Sequence, residues 1–243
     1  MIGRTIGKRW IRPWVPDGFV HWVRNRRVVV WIQTEMKWRR LRQADHNEVY
    51  GEDYFQMVDR TTGQSAGIMA RSIVEQLRPK DVVDLGCGTG NLLFELRSLE
   101  VDTVGAEFAD AALTYCRERG LDVREVDFTD EAALAEPLGK FDLAISTEVA
   151  IQLPPDVALN YVEYLCRHSD TVLFSSPPCA GDRRPRSPMT AKCWIAEFAK
   201  HGFELDAELS ETLRTEWKEK GTASWFSRKP MVFRRSQAAA ASS

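Results

Sequence analysis

The segment VVDLGCGTGN, residues 82–91, brings an acidic side chain next to three closely spaced glycines. Asp84 precedes Gly86, Gly88 and Gly90, which follow a G-x-G-x-G pattern. Glycines let the backbone turn sharply and let a ligand approach without meeting a Cβ atom. A carboxylate beside such a loop suits a cationic amino group better than a pyrophosphate. The segment therefore predicts a site for a small ligand that carries an amino group.

Two more acidic residues follow at places where predicted strands end. Glu107 comes at the end of the second strand, where a carboxylate can accept hydrogen bonds from both hydroxyls of a ribose. Asp127 ends the third strand, where it can accept a hydrogen bond from an adenine amino group, with Phe128 beside the ring. A glycine loop followed by two such acids indicates a nucleoside site more specifically than a lone loop does.

The spacing of the glycines argues against two familiar phosphate-binding patterns. Asn91 stands where the G-x-G-x-x-G pattern of dinucleotide-binding proteins has its third glycine. A P-loop is excluded because no G-K-S/T follows the glycines. Together with Asp84, these departures indicate a nucleoside that is joined to an amino acid.

Strands and helices alternate from residue 62 onward and would position these groups. Helical spacing of apolar residues covers 62–77, 91–99, 110–120, 155–168 and 190–202. Strands are predicted at 82–86, 101–108, 121–128, 141–147, 170–178, 203–210 and 230–235. This alternation predicts an α/β fold with a mostly parallel sheet and helices on both faces. Ligands of such folds bind at the carboxyl edge of the sheet, where the glycine loop lies.

Four segments together resemble a known enzyme family. VVDLGCGTG, VGAEF, VDF and FDLAISTEVAIQLP are similar to the successive motifs of class I S-adenosylmethionine-dependent methyltransferases (EC 2.1.1.-), and the resemblance covers about residues 50–235. It implies a Rossmann-like sheet of seven strands, the last of them antiparallel. It also implies S-adenosyl-L-methionine as the cofactor.

The resemblance further implies roles for individual residues. Those expected to contact the cofactor are Asp84, Gly86, Cys87, Gly88, Gly90, Glu107, Phe108, Asp127, Phe128, Ser146 and Thr147. Asp84 and the glycines would hold the methionine part, Glu107 the ribose, and Asp127 with Phe128 the adenine. Ahead of the loop, Tyr54 is expected to cover the cofactor and Arg60 to pair with its carboxylate. Packing in the core or on the surface is the alternative for Tyr54 and Arg60.

Two acidic residues are candidates for the catalytic base, because a hydroxyl acceptor gains from proton removal. Glu148 follows the fourth strand, although it could instead only bind the cofactor or a helix N-terminus. Asp182 lies among three arginines in the loop 177–188, which would hold an anionic acceptor or remain solvated. No metal site is predicted, because neither histidine and cysteine spacing nor a carboxylate cluster after the fifth strand supports one. His168 lies near a helix end, where a positive charge is expected.

The N-terminal part of the chain differs from the rest in charge. Residues 1–42 hold 11 basic and two acidic side chains, a net charge of +9, and five of the eight tryptophans. We interpret residues 1–45 as a basic, aromatic-rich helical arm, 46–236 as the catalytic domain and 237–243 as a disordered tail. Residues 8–42 would touch an anionic membrane surface or pack on the domain. Nucleic acid is not expected as a partner, because the remainder of the chain is acidic.

The five cysteines show no disulfide or metal pattern, and the absence of a long apolar segment or a signal peptide predicts a cytoplasmic protein. The predicted activity is O-methylation of a sugar or other small polar acceptor in glycan or secondary-metabolite biosynthesis. A lipid-linked glycan would place the enzyme at the inner membrane face. Two alternatives stay open: N-methylation of a natural-product scaffold, and a catalytically inactive nucleoside-binding regulator of the same fold.

Overall fold

A computed structural model describes residues 50–176 and 190–236 of the chain. The strands in these ranges are β1 (Asp81–Leu85), β2 (Asp102–Glu107), β3 (Val123–Glu125), β4 (Leu143–Thr147), β5 (Thr171–Ser175), β6 (Phe203–Asp206) and β7 (Pro230–Arg235). The helices are α1 (Glu52–Leu77), α2 (Asn91–Arg97), α3 (Asp110–Glu118), α4 (Pro155–Cys166), α5 (Ala191–Lys200), α6 (Ala207–Glu219) and α7 (Ser224–Arg228). None of these helices is both long enough and apolar enough to cross a membrane.

The strands form one sheet in the order β3-β2-β1-β4-β5-β7-β6. The pairs β1–β2, β1–β4, β2–β3 and β4–β5 are parallel, whereas β7 runs antiparallel to both β5 and β6. This confirms the predicted Rossmann-like sheet of seven mostly parallel strands. The strand order reverses between β1 and β4, so the crevice for a ligand opens above the ends of these two strands.

Both faces of the sheet are covered, which explains why the central strands carry apolar residues at consecutive positions, such as Val82 and Val83. Val83 of β1 and Phe174 of β5 belong to a core with residues of α4 and α5. Val82 and Leu173, their chain neighbours, belong to the opposite core with residues of α1 and α6. Alternate residues of one strand point to opposite faces, so each strand contributes to both cores.

The predicted strand at 203–210 is wrong in its second half. The strand β6 ends at Asp206, whose side chain accepts a hydrogen bond from the Leu209 N–H and caps α6. An aspartate in this position stabilises a helix start, and that signal outweighs the alternating pattern of the segment. The helix α1 also begins at Glu52, well ahead of the predicted start at residue 62.

The predicted positive charge on His168 is also wrong. The ring is buried, and its Nε2 lies 3.1 Å from the Leu138 N–H, which can only donate a hydrogen bond. Nε2 is therefore the acceptor, and Nδ1 carries the hydrogen that it donates to the Tyr164 carbonyl at 2.8 Å. Burial lowers the pKa of His168, in agreement with a neutral ring.

Candidate active site

Two of the three loop glycines are required by the packing around them. Gly86 and Gly90 have φ angles of +83° and +75°, in the left-handed region that side chains rarely adopt. A Cβ atom on Gly86 would lie 2.2 Å from Val149 Cγ2, and one on Gly90 would lie 2.4 Å from Leu121 Cδ1. Both glycines are therefore needed for the loop to pack against neighbouring side chains of the domain.

Gly88 differs from its two neighbours because the space beside it is open. Its φ angle is also positive, at +55°, but a Cβ atom there would come no closer than 4.0 Å, to Phe55 Cε1. A ligand could approach the backbone at this position without a clash. Gly88 is thus the part of the loop that the geometry leaves for a ligand.

Asp84 is a buried carboxylate with an unsatisfied oxygen. Its side chain is 3% exposed, and Oδ1 has no hydrogen-bond partner. Burial, and secondarily the nearby Glu107, raise the pKa of Asp84 to about 7. A cationic amino group beside Oδ1 would satisfy the oxygen and favour the ionised carboxylate. This site fits the amino group of an amino-acid ligand.

The carboxylate of Glu107 lies between the glycine loop and the end of β2. Oε2 accepts a hydrogen bond from the Gly88 N–H at 3.1 Å, and Oε1 accepts from the N–H groups of Phe108 (2.8 Å) and Ala109 (3.1 Å). Burial raises the pKa of Glu107, and these three N–H groups oppose the rise. A carboxylate oxygen accepts more than one hydrogen bond, so ribose hydroxyls can bind to this fixed group as well.

The two residues predicted at the adenine end are placed differently from each other. Asp127 follows β3, and its Oδ1 accepts hydrogen bonds from the N–H (2.8 Å) and the hydroxyl (2.7 Å) of Thr129. The carboxylate is thereby held at the edge of the sheet. Phe128 is buried, with its ring 4.8 Å from that of Tyr161, and its predicted place beside the adenine stays a prediction.

Cys87 has its thiol on the inner side of the loop. A Cβ atom on Gly105 of β2 would lie 2.8 Å from Cys87 Sγ, which shows how closely the thiol packs on that strand. A hydrogen bond with Cys116 and burial raise the pKa of the Cys87 thiol well above its usual value. The Cys87 thiol therefore contributes to the packing of the loop, and the predicted contact of Cys87 with the cofactor stays a prediction.

Ser146 and Thr147 are the last residues of β4 and point to opposite faces of the sheet. Ser146 is buried and its hydroxyl lies 2.7 Å from that of Tyr161, which donates its one hydrogen to the Leu85 carbonyl at 2.9 Å. Ser146 must therefore donate to Tyr161, and its predicted contact with the cofactor stays a prediction. Thr147 is half-buried and shares the face of Asp84.

Glu148 occupies a strained position directly after β4. Its φ angle is +64°, which is uncommon for a residue other than glycine. The Glu148 N–H donates to the Ser175 carbonyl at 2.9 Å, and the Ser175 hydroxyl donates to Glu148 Oε1 at 3.0 Å. The end of β5 thus holds this carboxylate at the carboxyl edge. Asp182, the second predicted catalytic residue, lies outside the described residues.

Aromatic residues at the start of α1 form a cover next to the glycine loop. Tyr54 is half-buried, with its ring edge-on to Tyr50 (5.3 Å) and Phe55 (5.1 Å). Tyr50 also meets the Phe108 ring edge-on at 5.9 Å, and its hydroxyl donates to Gln152 Oε1 at 3.4 Å. We call residues 50–60 the aromatic cover. It extends from the end of β2 to the segment after β4.

Arg60 is not brought to the glycine loop. The side chain is exposed, and it follows Phe55 by five residues on the same helix. Five residues correspond to a rotation of about 140° around a helix beyond one full turn. Phe55 is the residue that faces Gly88, so Arg60 leaves α1 on another side, and its predicted pairing with the cofactor carboxylate stays a prediction.

Four polar side chains, in contacts that the sequence reasoning did not predict, connect α1 to the glycine loop. Arg119 donates to the Thr89 carbonyl at 2.6 Å and to Asp59 Oδ1 at 2.7 Å. The Asn91 amide donates to the Asp59 carbonyl at 3.1 Å and to Thr62 Oγ1 at 2.9 Å. These contacts join residues far apart in the chain, and no local spacing in the sequence announces them.

Metal binding gains no support from the parts of the chain that the structure describes. Within residues 50–176 and 190–236, no group of three or more histidine, cysteine, aspartate or glutamate side chains is arranged to hold an ion. The expected absence of a metal stays a prediction for the whole chain.

The sheet order and this site define the class of protein. The doubly wound sheet is a Rossmann-like fold. At its switch point the glycine loop and Glu107 suit a nucleoside, and the unsatisfied oxygen of Asp84 suits an amino group. The family model described as a methyltransferase domain matches residues 78–212, and the chain belongs to this family. This part of the chain is therefore a domain of the S-adenosylmethionine-dependent methyltransferase class.

Known relatives agree with this assignment. The trans-aconitate 2-methyltransferase of Mycolicibacterium gilvum (strain PYR-GCK) is 31% identical over 144 residues, which are 56% of this chain and 47% of the relative. This chain thus matches about half the length of that enzyme.

Solved structures show the same fold at low sequence identity. The CcbJ methyltransferase of Streptomyces caelestis has a TM-score of 0.54 at 15% identity, over 71% of this chain and 96% of its own. Magnesium protoporphyrin IX methyltransferase of Synechocystis PCC 6803, with bound S-adenosylhomocysteine, has a TM-score of 0.53 at 15% identity, over 91% and 100%.

Proposed function

We propose that the enzyme methylates a hydroxyl oxygen of a sugar or another small polar acceptor, with Glu148 as the general base. The observation that carries this proposal is the strained left-handed backbone of Glu148. Such strain persists where the surrounding structure enforces it, and it is concentrated at functional sites. Here it presents a carboxylate at the carboxyl edge of β4, on the side of the crevice away from β2 and β3.

The residues of the site divide the task in a simple way. When bound, S-adenosylmethionine supplies an electrophilic methyl group, which the acceptor oxygen takes from sulfur while S-adenosylhomocysteine leaves. Glu148 accepts the proton of the acceptor hydroxyl as the new oxygen–carbon bond forms. The Ser175 hydroxyl holds Oε1 of this carboxylate and so limits its rotation. The aromatic cover shields the crevice from water.

A small polar acceptor agrees with the name of the curated relative. That enzyme is named for trans-aconitate, a small polar molecule, and it shares 31% identity with this chain over 144 residues. The alignment supports the size and polarity of the acceptor, and the choice of a hydroxyl rests on Glu148.

The test is the variant Glu148→Gln, assayed for S-adenosylhomocysteine release with a panel of sugars, hydroxy acids and amines. We expect kcat for hydroxyl acceptors to fall by roughly 10² to 10⁴, the usual contribution of a general base. The affinity for S-adenosylhomocysteine should not change, because Glu148 lies outside the loop that binds it. The matched control is Glu118→Gln at an exposed position of α3. Turnover of amines alone, or full activity of Glu148→Gln, would overturn the proposal.

The cellular setting that we propose is the cytoplasmic face of the inner membrane, with a lipid-linked glycan as the acceptor. It is supported by the net charge of +9 and the five tryptophans of residues 1–42. Each basic residue near an anionic membrane contributes about 1 kcal/mol to binding.

The full-length protein should therefore sediment with vesicles that contain anionic lipid and not with zwitterionic vesicles. Changing Arg24, Arg26 and Arg27 together to glutamine should weaken the binding roughly 100-fold, since three such contributions are lost. Equal binding to both kinds of vesicle, or binding to neither, would overturn this setting.

A further inference from the structure

We infer that Arg119 and Asp59 are positioning residues that attach the aromatic cover to the glycine loop and so determine how long the cofactor stays bound. The inference rests on the cofactor alone and is independent of the acceptor. Neither residue touches the open face of the loop at Gly88. Both act through the backbone that they hold.

One guanidinium makes both contacts of this attachment. Arg119 Nη1 donates to the Thr89 carbonyl at 2.6 Å, and Nη2 donates to Asp59 Oδ1 at 2.7 Å. The side chains of Arg119 and Asp59 are each 25% exposed, so water only partly screens the pair. The planar guanidinium fixes the angle between its two acceptors, which a flexible ammonium group would not do.

The contact with Thr89 orients the peptide group that closes the loop. The Thr89 carbonyl and the Gly90 N–H belong to one planar peptide unit and point in opposite directions. The Gly90 N–H donates to the Cys87 carbonyl at 3.0 Å, while Arg119 holds the carbonyl on the other side. Arg119 thereby stabilises the turn that leaves Gly88 open to a ligand.

The contact with Asp59 reaches the less buried half of α1. Residues 65–70 of this helix are buried, whereas most of residues 52–61 are exposed or half-buried. Thr61, Thr62 and Gly63 lie between these two halves and are poor helix formers. We therefore expect the aromatic cover to be held less firmly than the buried half of α1, and the bonds to Asp59 to restrain it over the glycine loop.

The restraint has a kinetic consequence for the cofactor. A ligand at Gly88 lies beside Phe55 of the cover, so it leaves more easily when the cover is displaced. Removing the Arg119 contacts should raise the rate of dissociation and affect the chemical step much less. Loss of a residue that merely stabilised the fold would not change the dissociation rate while leaving the rate of the chemical step nearly constant.

The experiment compares the full-length protein with Arg119→Gln for S-adenosylhomocysteine binding by stopped-flow and calorimetry, and for kcat and KM with S-adenosylmethionine. We expect a roughly tenfold weaker Kd, mainly from faster dissociation, with kcat at saturation changed less than twofold. Arg119→Lys keeps the positive charge but has one nitrogen in place of the two that make the contacts. Its Kd should therefore lie between those of the native protein and Arg119→Gln. The control is Arg124→Gln, which removes an exposed ion pair with Asp122 and should change nothing.

A double-mutant cycle gives the decisive result. If the two residues act as one unit, Asp59→Asn combined with Arg119→Gln should cost no more affinity than Arg119→Gln alone. Unchanged Kd in Arg119→Gln with a native melting temperature, or strictly additive losses in the double variant, would overturn the inference. The proposed role of Glu148 is tested by kcat with the acceptor, whereas the role of Arg119 and Asp59 is tested by the Kd for S-adenosylhomocysteine. One can therefore fail without the other.

Discussion

The two halves of the carboxyl edge are built in different ways. On the side of β1 and β2, the polar groups are held mainly by backbone N–H groups, as three such donors hold Glu107. On the side of β4 and β5, Glu148 is held by the hydroxyl and carbonyl of Ser175. The first arrangement is rigid and suits a ligand that never changes. The second depends on a few side chains, so it can be altered for a new acceptor without disturbing the first.

The largest expected effect is a difference in stability between alanine variants of two loop glycines on the β1–β2 side, which we call the cofactor half. Gly86→Ala would bring a Cβ atom to 2.2 Å from Val149 at a positive φ, so we expect a loss of ~3 kcal/mol or more in the free energy of unfolding. Gly88→Ala meets no close atom and should cost ~1 kcal/mol, yet weaken S-adenosylhomocysteine binding strongly. Urea denaturation and calorimetry measure both quantities. Equal destabilisation by the two variants would contradict this division of roles.

Asp84→Asn tests the electrostatics of the same half. The amide cannot pair with a cationic amino group, so we expect binding of S-adenosylhomocysteine to weaken roughly 100-fold, ~3 kcal/mol. The unliganded variant should nevertheless be more stable than the native protein at pH 8.

The sign of that stability difference follows from the pKa of Asp84, which burial raises from 3.8 to about 7. The stability that protonation of Asp84 contributes is complete below pH 4 and is lost as the pH rises through 7. The advantage of Asp84→Asn in thermal melts should therefore grow between pH 4 and pH 7. Melting temperatures that run parallel over this range would show that Asp84 is not desolvated.

Ser175→Ala tests the acceptor half. Removing the hydroxyl takes away the hydrogen bond at Glu148 Oε1, and we expect kcat for a hydroxyl acceptor to fall about tenfold, which corresponds to one hydrogen bond to a charged group. The Kd for S-adenosylhomocysteine should stay constant. Ser98→Ala, at an exposed helix end, serves as the control. A change in Kd as large as the change in kcat would show that the two halves are not separable.

The smallest effect concerns α1, the helix that carries the aromatic cover. A Cβ atom on Gly63 would meet nothing within 4 Å, so Gly63→Ala should stabilise the protein by ~1 kcal/mol through helix propensity. In the same helix Gly67→Ala should gain less, because its Cβ would lie 3.2 Å from Glu95 Oε2. Chemical denaturation checks both. Equal increases in the free energy of unfolding would show that the Glu95 side chain moves aside at no energetic cost.

The difference between the halves also explains what the sequence could reveal. The alternation of apolar strand segments with amphipathic helix segments predicted the sheet. A sheet that is buried on both faces needs apolar strands and helices with one apolar side. Asp84 and Glu107 were predictable because their positions follow from the glycine spacing and the strand ends. The placement of Phe128 and Arg60 was not, since it depends on which way a side chain points once neighbouring elements pack.

Contacts between distant segments were equally hidden from the sequence. Arg119 meets Asp59 and Thr89 only after α1 and α3 have packed beside the loop. The helix start at Asp206 was missed because an alternating pattern resembled a strand more than it did a capped helix. Asp182 and the N-terminal arm lie outside the described residues, and their roles stay predictions.

The buried hydroxyls of Tyr161 and Ser146 set the width of the crevice floor. Tyr161 lies on α4 and bonds to Leu85 of β1 and Ser146 of β4, the two strands between which the crevice opens. Spreading these strands would leave buried polar groups unpaired, at a cost of about 1–3 kcal/mol for each. The ends of β1 and β4 therefore keep their spacing, and we expect ligands of different size to be accommodated by the segments above the sheet.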